Sequence, residues 1–227
     1  MKNNFHQELG QLVAQLKGHV HYHKELGINT LLTQVDRREH LNLDTIRQEL
    51  GECTRCRLYE GRNHLVFGAG DPHAALVFVG EGPGREEDLQ GKPFIGRAGE
   101  LLTRIIEAID LKREEVYITN IVKCRPPQNR NPRPDEIQTC LPVLLKQLEA
   151  IRPKIICCLG TFASQTLLGT EERISSLRGR FHAYHGAKLM PTYHPAFLLR
   201  NPQFKKDVWE DMKMIREEYT KGEGLTD

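Results

Sequence analysis

Phe5, Leu9, Leu12, Val13, Leu16 and Val20 recur every three or four residues, so the spacing predicts an amphipathic helix over residues 4–24. Mixed-charge residues 25–42 read as a connector, and a second helix is expected over Leu43–Glu52 with Asn42 or Asp44 at its cap. The period then changes. AALVFVG (74–80), VYITNIV (116–122), KIICCLG (154–160) and AKLMPTYH (187–194) are short apolar runs bounded by turn formers, the first three rich in β-branched residues. Helical patterns over Gly99–Ile109, Pro134–Ile151 and Thr161–Leu168 lie between them. Strands that alternate with helices predict an α/β protein with a parallel sheet covered on both faces. Ligands of such sheets bind beyond the carboxyl ends of the strands. That rule gathers Gly80–Gly84, Asn120–Pro127, Gly160–Thr161 and His194–Pro195.

A chain of 227 residues suffices for one substantial domain and an extension. The expected division is a helical extension over 1–42, a domain over 43–220 and a frayed tail over 221–227. No apolar run is long enough to span a bilayer, and MKNNFHQELGQL lacks the apolar core of a secretory signal, so the expectation is a soluble cytoplasmic protein without membrane partners. A formal charge of +2 does not announce a nucleic-acid binder, but Arg173–Lys206 holds seven Lys or Arg and no Asp or Glu. Such a stripe serves either a polyanion or a solvated face. His19 and His23 stand one turn apart with no third ligand nearby, and read as solvent-facing residues at a helix end.

The cysteines change the picture more. Cys53 and Cys56 form CTRC, and Cys124 and Cys140 are separated by fifteen residues. Two thiols from one turn and two from afar can close a four-thiolate site, for zinc or for an iron–sulfur cluster. CTRC precedes the first strand, which argues against a thioredoxin-like redox pair. Cys157 and Cys158 are adjacent in an apolar strand, face opposite ways, and read as small buried residues.

CTRCRL (53–58), GEGPGREED (80–88), GKPFIGRAGELL (91–102), YITNIVKCRPPQNRNP (117–132), IQTC (137–140), LRGRFH (177–182) and MPTYHPAFLLRNP (190–202) follow one another in an order that resembles family 4 uracil-DNA glycosylases, the iron–sulfur type. The resemblance covers roughly Leu43–Tyr219 and leaves out the first forty or so residues. It implies a three-layer α/β/α fold of the uracil-DNA glycosylase kind, with a four-stranded parallel sheet. It also implies a structural [4Fe–4S] cluster on Cys53, Cys56, Cys124 and Cys140. The implied activity is monofunctional: uracil is flipped out of single- or double-stranded DNA and its N-glycosidic bond is hydrolysed, leaving an abasic site for base excision repair. A monomer is the expected state.

The same resemblance assigns roles. Asn120 reads uracil, donating to O4 and accepting from N3–H, a pattern that cytosine reverses. Phe94 stacks on the flipped base, and His194 donates to O2 as negative charge develops there. GEGPG lacks the Lys-Ser/Thr ending of a phosphate-binding loop, so Gly80 and Gly82 read as pocket wall. Family 1 enzymes carry a water-positioning aspartate where this chain has Gly82, which leaves Glu81 to place the water and face the cationic sugar. Glu87 is expected to border uracil C5 and exclude thymine; alternatively, Glu86, Glu87 and Asp88 favour a helix N-terminus. Leu198 is expected to fill the vacated stack, with Arg125, Arg178, Arg180 and Arg200 on phosphates. A binding or covalent-trapping protein of the same fold stays open beside the enzyme, through His182 and His185 of LRGRFHAYHG (177–186), as does an unrelated zinc module. The extension is a candidate docking segment for a repair or replication partner, or it packs on the domain.

Overall fold

The computed structural model describes residues 41–221. The helix expected over 4–24, the connector as far as residue 40 and the tail beyond Lys221 lie outside the described residues. Helix α1 (Leu43–Leu50) begins at Asn42, whose Oδ1 accepts from the Thr45 N–H at 2.9 Å while the Asn42 N–H donates to Thr45 Oγ1 at 3.2 Å. This reciprocal cap selects Asn42 over Asp44. No helix among the described residues is long and apolar enough to cross a membrane.

The sheet holds six strands in the order β1-β3-β2-β4-β6-β5: β1 (Ala69–Gly70), β2 (Leu76–Gly80), β3 (Tyr117–Asn120), β4 (Ile155–Leu159), β5 (His182–Tyr184) and β6 (Ala187–Thr192). The expected four-stranded parallel sheet is therefore corrected to a mixed one. Its four central strands are parallel, and β1 and β5 add antiparallel edges to β3 and β6. The edges are two and three residues long, too short to show a period. β5 and β6 are joined through His185 and Gly186, both at positive φ (44° and 87°), which gives the hairpin turn whose twist suits paired strands.

Alternation along the strands splits the core in two. Leu76, Phe78, Ile155, Cys157, Leu159 and Met190 face one side, where they meet α3 (Arg97–Glu107), α7 (Pro195–Arg200) and α8 (Lys205–Lys221). Val77, Val79, Ile156, Cys158 and Leu189 face the other, against α4 (Pro134–Ile151) and α5 (Thr161–Leu168). Cys157 and Cys158 are both fully buried on opposite faces, as their adjacency predicts. Helices α4 and α5 begin and end where the sequence pattern puts them. Two short helices, α2 (Arg85–Gln90) and α6 (Ile174–Leu177), complete the described chain, and α1 packs Ile46 and Leu50 beside Val143 of α4.

Candidate active site

A cavity of about 620 Å³ opens where the four parallel strands end. Gly80 closes β2, Asn120 closes β3, Leu159 and Gly160 close β4, and the chain leaving β6 supplies Tyr193 and His194. Glu81–Gly84, Glu87, Phe94, Asn129–Asn131 and Arg200 complete the wall. Volumes of this order enclose small organic ligands.

The strand register sets Gly80 opposite Asn120. A Cβ at Gly80 would stand 2.4 Å from Asn120 Oδ1 and 2.5 Å from Phe94 Cζ, so glycine is what lets the amide and the ring close over the strand end. Asn120 is 1% exposed. Its Oδ1 is the one buried side-chain nitrogen or oxygen among the described residues without a hydrogen-bond partner. Buried acceptors are nearly always paired, and a bare one costs about 1–3 kcal/mol. Such an oxygen keeps its lone pairs open to an N–H donor.

Phe94 holds a left-handed backbone (φ 51°), a conformation that costs a non-glycine residue on the order of 1–3 kcal/mol. Its ring centroid lies 5.5 Å from that of His194, tilted by 32°. Asn120, Phe94 and His194 therefore surround one volume. His194 is the N-cap of α7, and the Ala196 N–H donates to its Nδ1 at 3.0 Å. That bond puts the ring proton on Nε2, which leaves Nε2–H as the donor available to the cavity. Burial, then the Arg200 charge, pull the imidazole pKa down to about 4 against an opposing pull from Glu87, so the ring is neutral at pH 7.

Glu81 is partly buried in the wall, beside side-chain-free Gly82. Burial alone pushes its carboxyl up to about 7. Glu87 also reaches the wall, but both its oxygens are engaged. Oε1 accepts from the N–H groups of Ile95 (2.9 Å) and Gly96 (3.0 Å), and Oε2 from that of Gly84 (3.1 Å), the N-cap of α2. Glu87 thus ties the first motif to the Phe94 loop. Asp88 is fully buried and accepts from Asn63 through N (2.9 Å) and Nδ2 (2.5 Å).

A second cavity, of about 20 Å³, is lined by Cys53, Cys56, Cys124 and Cys140 with Leu50, Leu65 and Val143. All four are free thiols. Arg62 Nη1–H donates to Cys124 Sγ (3.2 Å) and to the Cys53 carbonyl (2.8 Å), and the Lys123 N–H donates to Cys140 Sγ (3.3 Å). N–H donors and cations of this kind favour thiolates, against burial that pushes the Cys124 thiol up to about 11 and raises Cys140. No three His, Cys, Asp or Glu among the described residues converge as tightly as a single metal ion requires. The four sulfurs ring a cavity rather than a point.

The sequence model of the family described as Uracil DNA glycosylase superfamily matches residues 67–213. The chain belongs to that superfamily. Within it, a Type-4 uracil-DNA glycosylase of Archaeoglobus fulgidus is 44% identical over 184 residues, covering 78% of this chain and 92% of its own. The Type-4 enzyme of Saccharolobus solfataricus is 46% identical over 185 residues, 78% of this chain and 86% of its own. That of Thermotoga maritima is 42% identical over 191 residues, 82% of this chain and 98% of its own.

Two residues that the glycosylase resemblance assigned to DNA have protein partners in this structure. Leu198 is 1% exposed and packs in the core, whereas its neighbour Leu199 is 37% exposed. Helix α7 turns one leucine inward and the next outward. Arg178 is not free for phosphate: Nε and Nη2 donate to the two oxygens of buried Asp211 at 3.0 and 2.7 Å, and the guanidinium lies 5.5 Å from the Tyr193 ring centre. Asp211 also accepts from Thr192 Oγ1 at 2.6 Å, so this ion pair braces the end of β6 two residues before His194. Arg180 and Arg200 are exposed, and Arg200 edges the cavity. Arg125 is half-buried and donates from Nε to Asn129 Oδ1 at 2.7 Å. Sequence reasoning missed Arg130 and Glu136, a two-pronged pair at 2.8 and 2.6 Å that braces the 125–134 loop. The one available signal was Glu136 three residues after Arg133, the capping position of α4.

Proposed function

We propose that this chain removes uracil from DNA by hydrolysing its N-glycosidic bond, the activity its Type-4 relatives are named for. The observation that carries the reading is the bare, buried Oδ1 of Asn120. Uracil N3 bears a hydrogen and cytosine N3 does not, so this acceptor selects the deaminated base. The base enters from a flipped nucleotide, because a stacked base cannot reach the end of a strand.

Each residue then acts in turn. Phe94 covers one face of the ring. The base leaves as an anion, and the neutral His194 Nε2–H donates to O2 where the charge appears. The attacking water gives up a proton to solvent and the released anion takes one from solvent, so a neutral donor suffices at O2. Glu81, once ionised, faces the cationic sugar and holds the attacking water. Leu199 enters the vacated stack, while Arg200 and Arg180 contact the phosphates of single- or double-stranded substrate.

The four cysteines fit a [4Fe–4S] cluster, in which each thiolate binds a different iron and the sulfurs need not converge. Cys53, Cys56, Cys124 and Cys140 would hold it, with Arg62 beside them as a counter-charge. Held there, it would tie the turn after α1 to the loop after β3 and to helix α4. Glycosidic hydrolysis itself moves no electrons.

Labelled uracil-containing oligonucleotides, single- and double-stranded, test the reading when incubated with the protein and then treated with alkali. Strand scission that requires alkali is expected. An intact strand, or a shifted band that survives detergent, refutes hydrolysis and favours binding or trapping.

A further inference from the structure

The Phe94 peptide is held from two sides. On one side Glu87 accepts from Ile95 and Gly96. On the other stands Arg113, a partly buried residue in the turn between α3 and β3. Its Nη2–H donates to the Pro93 carbonyl at 2.5 Å, and its Nη1–H donates to Thr103 Oγ1 at 3.1 Å. Thr103 in turn donates to the Gly99 carbonyl at 3.1 Å. Gly99 is pressed so close that a Cβ there would stand 1.9 Å from the Phe94 carbonyl oxygen. Arg113, Thr103 and Gly99 thus form one bonded chain along α3, ending against the strained residue.

We propose that Arg113 is a positioning residue for base excision: its guanidinium fork fixes the Pro93–Phe94 backbone in the left-handed turn that lays the Phe94 ring over the base. The proposal rests on the reading of Phe94 as the stacking ring. Phenylalanine does not favour positive φ, so the turn persists only where its surroundings over-determine it. A planar fork that reaches two acceptors on different elements from two separate nitrogens supplies that constraint, because it fixes direction as well as distance. Glu87 lies close enough to stabilise the Arg113 charge, so the two sides of the clamp support each other. Arg113 touches no part of the substrate. Its effect passes through Phe94.

A double-mutant cycle on the full-length protein decides it. Single-turnover excision from a uracil-containing oligonucleotide is measured for wild type, Arg113→Met, Phe94→Ala and the double variant, with DNA affinity and thermal melts for each. Arg113→Met is expected to slow excision about 10- to 100-fold, the scale on which a small misplacement acts. Its DNA affinity should stay within about twofold of wild type, and the double variant should be no slower than Phe94→Ala to within about twofold. A wild-type rate for Arg113→Met, or a double variant slowed by the product of the two single effects, overturns the proposal. A Phe94→Ala protein that excises at the wild-type rate sinks the stacking reading itself, and is recognised because its Arg113 is intact. Should Arg113→Met fail to fold, Thr103→Val removes one of the two acceptors and carries the same cycle. A smaller loss that vanishes in the Phe94→Ala background supports the proposal, and an unchanged or multiplicative rate overturns it.

Discussion

Glu81 makes the pH dependence of the reaction predictable. Its carboxyl titrates near 7 because burial in the wall disfavours the charge. A group with that pKa is about one-tenth ionised at pH 6 and about nine-tenths ionised at pH 8. When the ionised form faces the cationic sugar, the single-turnover rate on uracil-containing single-stranded DNA rises about tenfold across that window and levels off above it. His194 adds no limb there, since its ring, with a pKa near 4, is neutral throughout. Glu81→Gln keeps the shape and abolishes the titration, so its rate is expected to fall and lose its slope between about pH 6 and 8. Stability gives an independent sign. The folded pKa lies above the unfolded value of 4.5, so the native state binds the extra proton and its stability falls as pH rises from 4.5 to about 7. Glu81→Gln escapes this loss, and its melting temperature relative to wild type should be higher at pH 8 than at pH 5. Quench-flow or manual-quench rates at constant ionic strength, paired with melts, check both signs. A flat wild-type profile, or a limb that survives in Glu81→Gln, refutes the assignment.

Four other outcomes are expected. Asn120→Ala should slow uracil excision about 10- to 100-fold, the worth of one buried hydrogen bond, in single-turnover assays on single-stranded DNA. Leu198→Ala should destabilise the fold by about 2–5 kcal/mol in urea, whereas Leu199→Ala should leave stability unchanged and slow excision from duplex more than from single strands. Arg200→Ala should lower the slope of log affinity against log salt by about 1, while Arg178→Met leaves that slope alone and costs about 3 kcal/mol of stability by stranding Asp211. Cys56→Ala or Cys140→Ala should lose bound iron and the absorbance near 400 nm, read by metal analysis and spectroscopy.

Periodicity reached those elements whose side chains alternate or repeat over enough residues. Helices α4 and α5 and the cores of β2, β3, β4 and β6 were legible for that reason. Edge strands of two and three residues were not, because they are defined by partners rather than by their own pattern. Helix α8 escaped because Val208, Met212 and Ile215 form a narrow stripe among charges. For the site, Asn120, Phe94 and His194 were named through the resemblance, and the structure draws all three to one cavity. What a linear pattern leaves open is the choice between adjacent or equivalent side chains. Leu198 and Leu199 are the same residue type, and helix rotation alone decides which is buried. Arg178 and Arg180 carry the same charge, and Asp211, thirty-three residues beyond Arg178, engages Arg178. Arg113 gave no signal, since its partners Pro93 and Thr103 are specified by the fold.

The bare acceptor of Asn120 raises the question of why the side chain does not turn to find a partner. The main chain around it is fixed from both sides. Across the sheet, Gly80 pairs with Asn120 and accepts from the Ile121 N–H at 2.9 Å. From below, the fully buried Lys123 ammonium donates to the Asn120 carbonyl (2.8 Å), to Thr119 Oγ1 (2.6 Å) and to Gln147 Oε1 (2.6 Å). Burial pulls the Lys123 pKa down to about 7, and a buried amine in either form is tolerated only when its hydrogens find acceptors, which these three short bonds supply. The lysine cannot be displaced cheaply, because its own backbone is held too. Its N–H donates to Cys140 Sγ, its carbonyl accepts from Val66 at 2.8 Å, and the next residue is Cys124. Helix α4 carries both Cys140 and Gln147, so it grips Lys123 at the backbone and at the side chain. The cysteine loop and the base reader therefore share one residue. If the four thiolates hold a cluster, removing it would free the Lys123 backbone at Cys140 first and reach Asn120 only through Lys123.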